Sequence, residues 1–291
     1  MVDSTTSGLP PSGIVLVGTP IGNLGDLSPR AVRALEAASV VACEDTRRAR
    51  VLLSYAGVPA RQLVVLNSAT EKRAVARLIE AARRGALVAV VSDAGMPGVS
   101  DPGSRLVRAA VRAKLPVSVV PGPSAVVAAL ALAGFGGSRF CFEGFLPRRG
   151  AHRRERLGHI ASSSVPVVLF EAPSRLVATL GDLALACGEL RPAFVGRELT
   201  KLHETLWWGS LGEAVSWASS EPMLGECAIV VGGTDTDEVA DPEAVRQAMS
   251  EELARGVSLK QAAKAVAERL GVARTVAYQA GVELRHEDQP R

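Results

Sequence analysis

The sequence predicts an α/β protein built from two fused α/β domains with a cleft between them, followed by a small C-terminal helical extension. Three observations predict it. Five short apolar runs in the first half each end in a small or acidic cluster, a second set of apolar runs follows with different spacing, and the last fifty residues are helical in pattern. Apolar runs separated by helical segments read as buried parallel strands in βα units, whose C-terminal ends line the ligand-binding edge of such a sheet.

Residues 14–17 run into Gly18-Thr19-Pro20-Ile21-Gly22-Asn23-Leu24-Gly25-Asp26, and residues 40–42 into Glu44-Asp45-Thr46-Arg47-Arg48. Residues 63–66 lead to Asn67-Ser68, 87–91 to Ser92-Asp93-Ala94-Gly95-Met96-Pro97, and 117–120 to Pro121-Gly122-Pro123-Ser124-Ala125. Between them, Ser28-Pro29 signals a helix start as N-cap and first-turn proline, with Ala31, Val32, Leu35 and Ala38 on one face. Further helices are predicted over 70–84, 104–112 and 124–133. The first domain then spans 13–137, behind a polar tail at 1–12 predicted to be disordered.

The second domain, 138–233, should hold strands at 165–170, 193–197, 205–208 and 227–231 and helices at 174–187 and 211–218. The strand carrying Trp207-Trp208 follows its predecessor with no room for a crossover helix, so this sheet should be partly antiparallel. A polar, acidic linker at 232–241 precedes helical segments at 242–255, 258–270 and 273–284. Ala262, Ala263, Val266, Leu270 and Val276 around Gly271 are compatible with a helix-turn-helix and equally with a plain helical cap.

Composition narrows the function. A 291-residue chain with 47% hydrophobic residues has ample core, and a formal charge of +3 makes no global argument for nucleic acid. Cysteines 43, 141, 187 and 227 form no metal or disulfide spacing, and no run approaches the ~20 apolar residues of a membrane span. A soluble cytoplasmic protein without a metal is expected.

The glycines at 18, 22 and 25 miss the two-and-three spacing of a dinucleotide turn, and no Gly-Lys-Ser/Thr phosphate loop follows. Glu44 falls where a ribose-binding acid would sit beyond such a turn, which keeps a Rossmann-type site as a minor alternative. Gly122-Pro123-Ser124-Ala125-Val126 fails as a nucleophile elbow, so Ser124 reads as an N-cap whose helix start faces the cleft. The rigid, acidic connection from Asp93 through Ser100-Asp101-Pro102-Gly103 adds no core and reads as functional. An acidic, Gly-rich pocket suits a ligand with positive charge and hydroxyls, as a sulfonium nucleoside has. Residues 146–156 hold five arginines and His152 against Glu155 alone. Such a run is either a solvated helix face or a phosphate-binding edge, and Arg47, Arg48 and Arg50 add a second one.

Taken together, GTPIGNLGDLSPRA, EDTRR, SDAGMPGVSDPG, PGPSA, FEGFLPRRG, EAPSR, RELTK and GECAIVV, in that order over residues 14–232, resemble the tetrapyrrole methylase-like superfamily of S-adenosylmethionine methyltransferases. Within it they resemble the ribosomal small-subunit RNA 2'-O-methyltransferase I subfamily. The resemblance implies two domains of tetrapyrrole methylase type, S-adenosyl-L-methionine bent in the cleft, a homodimer, and methylation of a cytidine ribose in the decoding region of small-subunit ribosomal RNA. It implies cofactor contacts at Pro20, Asp93, Ala94, Gly95, Ser100, Ser124 and Ala125 of the first domain. In the second they fall at Phe170, Ala172, Glu226 and Cys227. Arg47, Arg48, Arg148, Arg149, Arg153 and Arg154 would meet the RNA, and the candidate catalytic groups are Asp45, then Glu198, with Lys201 as charge partner or alternative base. The chain departs from the subfamily at Asn67-Ser68-Ala69, where relatives are His-rich, and at Ser174, where they carry His. A methyltransferase for a tetrapyrrole or other small molecule, and a non-catalytic ribosome-assembly factor, are the alternatives.

Overall fold

The computed structural model describes residues 8–59, 62–67, 70–136, 138–220, 222, 224–234, 242–270 and 274–287. The first seven residues of the expected disordered tail lie outside this set, as do Ser68, Ala69, most of the 232–241 linker and Gly271. Leu9 of the same tail packs against the first core instead of hanging free.

The first sheet is parallel throughout, in the order β3-β2-β4-β1-β5, from β1 (Gly13–Val17), β2 (Val40–Cys43), β3 (Gln62–Val65), β4 (Leu87–Val90) and β5 (Val117–Val120). β2 and β4 are buried along their whole length, which is why they read as continuous apolar runs. On one face lie α1 (Pro29–Ala37) and α2 (Thr46–Tyr55), burying Ala34, Leu35, Leu52 and Leu53. On the other lie α3 (Glu71–Arg83) and α4 (Ser104–Arg112), burying Leu78, Ile79, Leu106 and Ala110. Ser28 caps α1 as its sequence signals, its hydroxyl accepting from the Ala31 amide at 3.1 Å. The sequence pattern predicts no helix after β2; Asp45 caps one there, accepting from the Arg47 amide.

α5 (Ala125–Ala133) departs from its neighbours. It is apolar on all sides, and Val126, Ala129 and Ala133 pack on Val168, Phe194, Ala228 and Val230 of the second sheet. A helix with no polar face needs apolar surroundings on more than one side. Here one side packs on the second sheet and the other leaves Val127 and Leu132 exposed, so α5, although it follows the last strand of the first sheet, covers a face of the second.

The second sheet runs β6-β7-β10-β8-β9, from β6 (Cys141–Phe145), β7 (Val167–Glu171), β8 (Pro192–Arg197), β9 (Thr205–Ser210) and β10 (Cys227–Val231). Only β6 and β7 are parallel; β7–β10, β10–β8 and β8–β9 are antiparallel, in agreement with the short β8–β9 connection. β6 is absent from the predicted strands because only Gly144 in it is buried and its register shifts between Phe142 and Gly144, which spoils any alternation. α6 (Ala151–Ala161), α7 (Leu176–Cys187) and α8 (Leu211–Ser220) cover the face away from α5. The helix expected from 174 begins as a 3-10 turn at Pro173–Arg175, and this turn holds Ser174.

α9 (Pro242–Ala254), α10 (Leu259–Leu270) and α11 (Arg274–Glu287) close on their own small core of Val245, Met249, Ala262, Ala263, Val266 and Ala277. No helix among the described residues is long and apolar enough to cross a membrane.

Candidate active-site cleft

Glycines at the strand ends set the cleft by letting backbones touch. A Cβ on Gly18 would stand 2.5 Å from the Gly122 amide nitrogen, so the turns after β1 and β5 meet back to back. A Cβ on Gly22 would stand 2.5 Å from Cγ of Lys201 and 2.6 Å from Oγ1 of Thr200, so the same turn also presses on the second half of the chain. The Asn23 amide donates to that Thr200 hydroxyl at 3.1 Å. The spacing that failed as a dinucleotide turn thus serves close packing between the two halves. Thr19 pairs backbone to backbone with Gly95, and the Ser92 hydroxyl donates to the carbonyls of Ala94 and Gly95, fixing the acidic loop after β4.

Two cavities adjoin in the cleft. The larger, about 400 Å³, is lined by Ala94, Gly95, Ser100, Ser124 and Ala125 from the first half and by Phe170, Ala172, Glu226 and Cys227 from the second. These are nine of the eleven residues the resemblance implied. The other two, Pro20 and Asp93, line the smaller cavity of about 250 Å³. Ile21, Ala94, Lys201 and Glu226 border both. Phe145 and Phe170 form an aromatic wall, their ring centroids 5.8 Å apart.

Strain concentrates here. Ser100, Glu198 and Thr200 have φ of 60°, 52° and 67°, three of the four left-handed non-glycine residues among those described. Each costs on the order of 1–2 kcal/mol and persists only where surrounding contacts over-determine it.

The charges are ordered. The Lys201 ammonium donates to Glu198 at 2.8 Å and to Glu226 at 3.0 Å, and the Glu226 amide donates to Glu198 at 2.8 Å. Burial pulls the Glu198 carboxyl up, but the hydrogen bonds from Lys201 and Glu226 outweigh it and hold it below its usual range. The same bonds overcome desolvation at Lys201 and raise it. Asp101, also on the larger cavity, behaves oppositely: burial first, then the charge of Glu44, lifts its carboxyl to about 6. Glu44 is likewise raised, by burial and by Asp93. Asp93 accepts from the Asp45 amide at 3.2 Å and faces Arg48 at 3.5 Å.

Asp45 lines neither cavity. Its carboxylate is spent on capping α2 and on a two-oxygen pair with Arg47, whose hydrogen bonds hold it down at about 2. Glu198 and Lys201 do line the cleft. The sequence marks the loop of Asp101 as functional but does not single Asp101 out within it, because two of the acids that raise it, Glu44 and Glu226, come from other parts of the chain.

The arginine run divides. Arg148 and Arg149 stand exposed on the loop before α6 and Arg154 is exposed on its first turn. Arg153 is buried, and its expected place among surface arginines is corrected: it donates to Asp182, to the Pro147 carbonyl and to the Thr179 hydroxyl. Thr179 in turn donates to Glu171, which is buried, accepts from the Ala172 amide and pairs with Arg175 at 3.2 Å. Arg175 reaches back to the Leu146 carbonyl. This network anchors the base of the loop carrying Arg148 and Arg149. Arg156 is tied to Glu143.

The profile of the tetrapyrrole (corrin/porphyrin) methylases matches residues 13–215. Ribosomal RNA small subunit methyltransferase I of Mycobacterium tuberculosis (strain ATCC 25618 / H37Rv) is 43% identical over 279 residues, covering 95% of this chain and 97% of that one. The chain belongs to the ribosomal RNA small subunit methyltransferase I family, within the tetrapyrrole methylases. The fold of this family recurs in solved structures. The methyltransferase CobJ superposes with a TM-score of 0.60 at 22% identity over 77% of this chain and 95% of that one. Uroporphyrin-III C-methyltransferase of Thermus thermophilus, complexed with S-adenosyl homocysteine, does so at 0.56 and 22% over 75% and 96%. The family's catalytic chemistry, methyl transfer, accords with a cleft that joins an acidic cavity to a second opening.

Proposed function

We propose that this protein transfers the methyl group of S-adenosyl-L-methionine to the ribose 2'-oxygen of a cytidine in the decoding region of small-subunit ribosomal RNA. The observation that carries the reading is the pair of cavities meeting at Ala94, Lys201 and Glu226, one sized for a nucleoside ligand and the other open beside Arg48.

The donor set of the larger cavity fits the cofactor. Glu198 and Glu226 suit a sulfonium and an α-ammonium, Phe145 and Phe170 offer aromatic faces, and the start of α5 at Ser124–Ala125 presents helix-terminal amides to a carboxylate. When bound, S-adenosyl-L-methionine supplies an activated methyl group. The protein must orient the ribose and accept its hydroxyl proton. Asp45 lines neither cavity and is held down by Arg47, and Glu198 is held as a weakly basic carboxylate by Lys201, so neither is the acceptor in this reading. Asp101, which lines the larger cavity and whose carboxyl burial raises to about 6, takes the proton. Lys201 stays charged and, fixed by Glu198, steers the incoming oxygen at the boundary between the cavities.

Arg47, Arg48, Arg148, Arg149 and Arg154 serve the RNA phosphates. Exposed Val119 on the β5 edge and Val127 on α5 support a homodimer, and a ribosomal substrate supports a cytoplasmic location. The test is transfer of labelled methyl to small ribosomal subunits lacking the modification, with mapping of the labelled ribose. Label on one cytidine 2'-oxygen is expected. Cofactor binding without label on the RNA overturns the reading in favour of a small-molecule substrate or a binding-only role.

A further inference from the structure

α3 and α4 present a strongly basic face on the first sheet, away from the arginine run and with no role in the cleft. Arg105, Arg108 and Arg112 are spaced three and four apart along α4, which places them on one side of the helix. With Arg83 at the end of α3 they line a shallow groove of about 560 Å³ floored by Ile79 and Ala109. Lys72, Arg73 and Arg77 extend the exposed charge along α3.

The face has little internal compensation. Glu71 pairs with Arg105 at 3.0 Å and Glu80 with Arg84 at 3.1 Å. Among the described residues, Arg83, Arg108 and Arg112 have no ion-pair partner. Like charges four apart, as at 108 and 112 or 73 and 77, oppose helix formation, so the arrangement costs stability unless anions meet it. Four guanidiniums in one groove match the forked recognition of phosphate oxygens. α4 begins three residues after Asp101, which lines the cleft, so its charged face starts near the rim. Arg105 lies four residues after Asp101, and α4 carries the charge some ~10 Å farther from the rim, at about 1.5 Å per residue.

We infer that the α3–α4 groove is a second RNA-binding surface, holding the phosphate backbone of ribosomal RNA that flanks the nucleotide in the cleft. The inference rests on the RNA reading above, and its test separates the two. Affinity for a small-subunit ribosomal RNA transcript is measured over a range of salt concentrations for the wild type and for the triple variant R83A/R108A/R112A. S-adenosyl-L-methionine affinity is measured by calorimetry in parallel.

The triple variant should bind RNA more weakly at every salt concentration, with a log–log salt slope flatter by about 2 to 3, near one for each phosphate that no longer meets a guanidinium. Its cofactor affinity should be unchanged, and the R83K/R108K/R112K variant should keep most of the slope, which separates an effect of charge from an effect of misfolding. A triple alanine variant with the wild-type slope and affinity overturns the second surface while leaving the RNA reading intact. A wild type that binds cofactor and shows no salt-dependent affinity for RNA overturns both.

Discussion

Lys201 and Glu198 lie three residues apart on a turn where Glu198 is left-handed, and their 2.8 Å ion pair stands at the boundary between the two cavities. Glu226 joins it from the strand-edge loop before β10, and Gly22 of the first half packs on the Lys201 stem. One turn therefore couples the charge of the cleft to the contact between the two halves of the chain.

Gly225 tests this turn without removing a charge. Its φ is +82°, and a Cβ there would run into the Glu198 carboxylate. Gly225→Ala should destabilise the fold by about 1–3 kcal/mol through strain and displacement of Glu198, and should weaken cofactor affinity. Chemical denaturation and calorimetry check the two effects.

Asp101 gives a pH signature. Its folded carboxyl is raised from 3.8 to about 6, so the unfolded chain releases the proton first. The stability it contributes is full below pH 3.8 and lost as pH rises through about 6. Asp101→Asn should therefore melt higher than wild type at pH 8 and alike at pH 3.8. Methyl transfer by the wild type should rise through about pH 6, and the variant should lose about 10²- to 10⁴-fold in rate with cofactor affinity retained. A wild-type rate in Asp101→Asn would remove it as the proton acceptor.

Asp45 separates a cap from a catalytic base. Asp45→Asn keeps an N-cap acceptor for α2 and loses only the exposed pair with Arg47. Methyl transfer should persist within a few-fold in single-turnover assays, with the melting temperature scarcely moved.

The arginine run should split by stability. Arg153→Ala removes charged hydrogen bonds to Asp182, Thr179 and Pro147 and should cost about 2–3 kcal/mol in denaturant unfolding. Arg148→Ala with Arg149→Ala should leave stability within about 0.5 kcal/mol and flatten the salt slope of RNA binding by about 2.

Much of the architecture is written locally. The strands β1, β2, β4 and β10 are buried almost end to end, so their apolar runs could hardly read otherwise, and Ser28-Pro29 carries its own cap. The turn glycines and the acidic loop at Asp93–Gly103 mark the cleft, since such loops add no core. β6 and α2 are hidden because a bulged strand with only Gly144 buried and a charge-rich first turn leave no clean period. What a residue does once folded is less legible. Arg148 and Arg153 look alike in a run of arginines, and only Asp182 and Thr179, brought from α7, separate a solvent-facing charge from a buried one.

Local pattern sufficed to say which segments become strands and helices, that the first sheet is parallel and the second mixed, and that the strand ends carry the chemistry. The fold features follow from periodicity, caps and connection lengths, all short-range, and the placing of the cleft at the strand ends follows from them. Three-dimensional packing decided that the Asp101 carboxyl is raised, that α5 covers the second sheet, and that Lys201 meets Glu226. The reason is that burial and Coulomb interactions depend on distance in space. Of the acids that raise Asp101, Asp93 shares its loop, whereas Glu44 and Glu226 lie 57 residues before it and 125 after it in the chain.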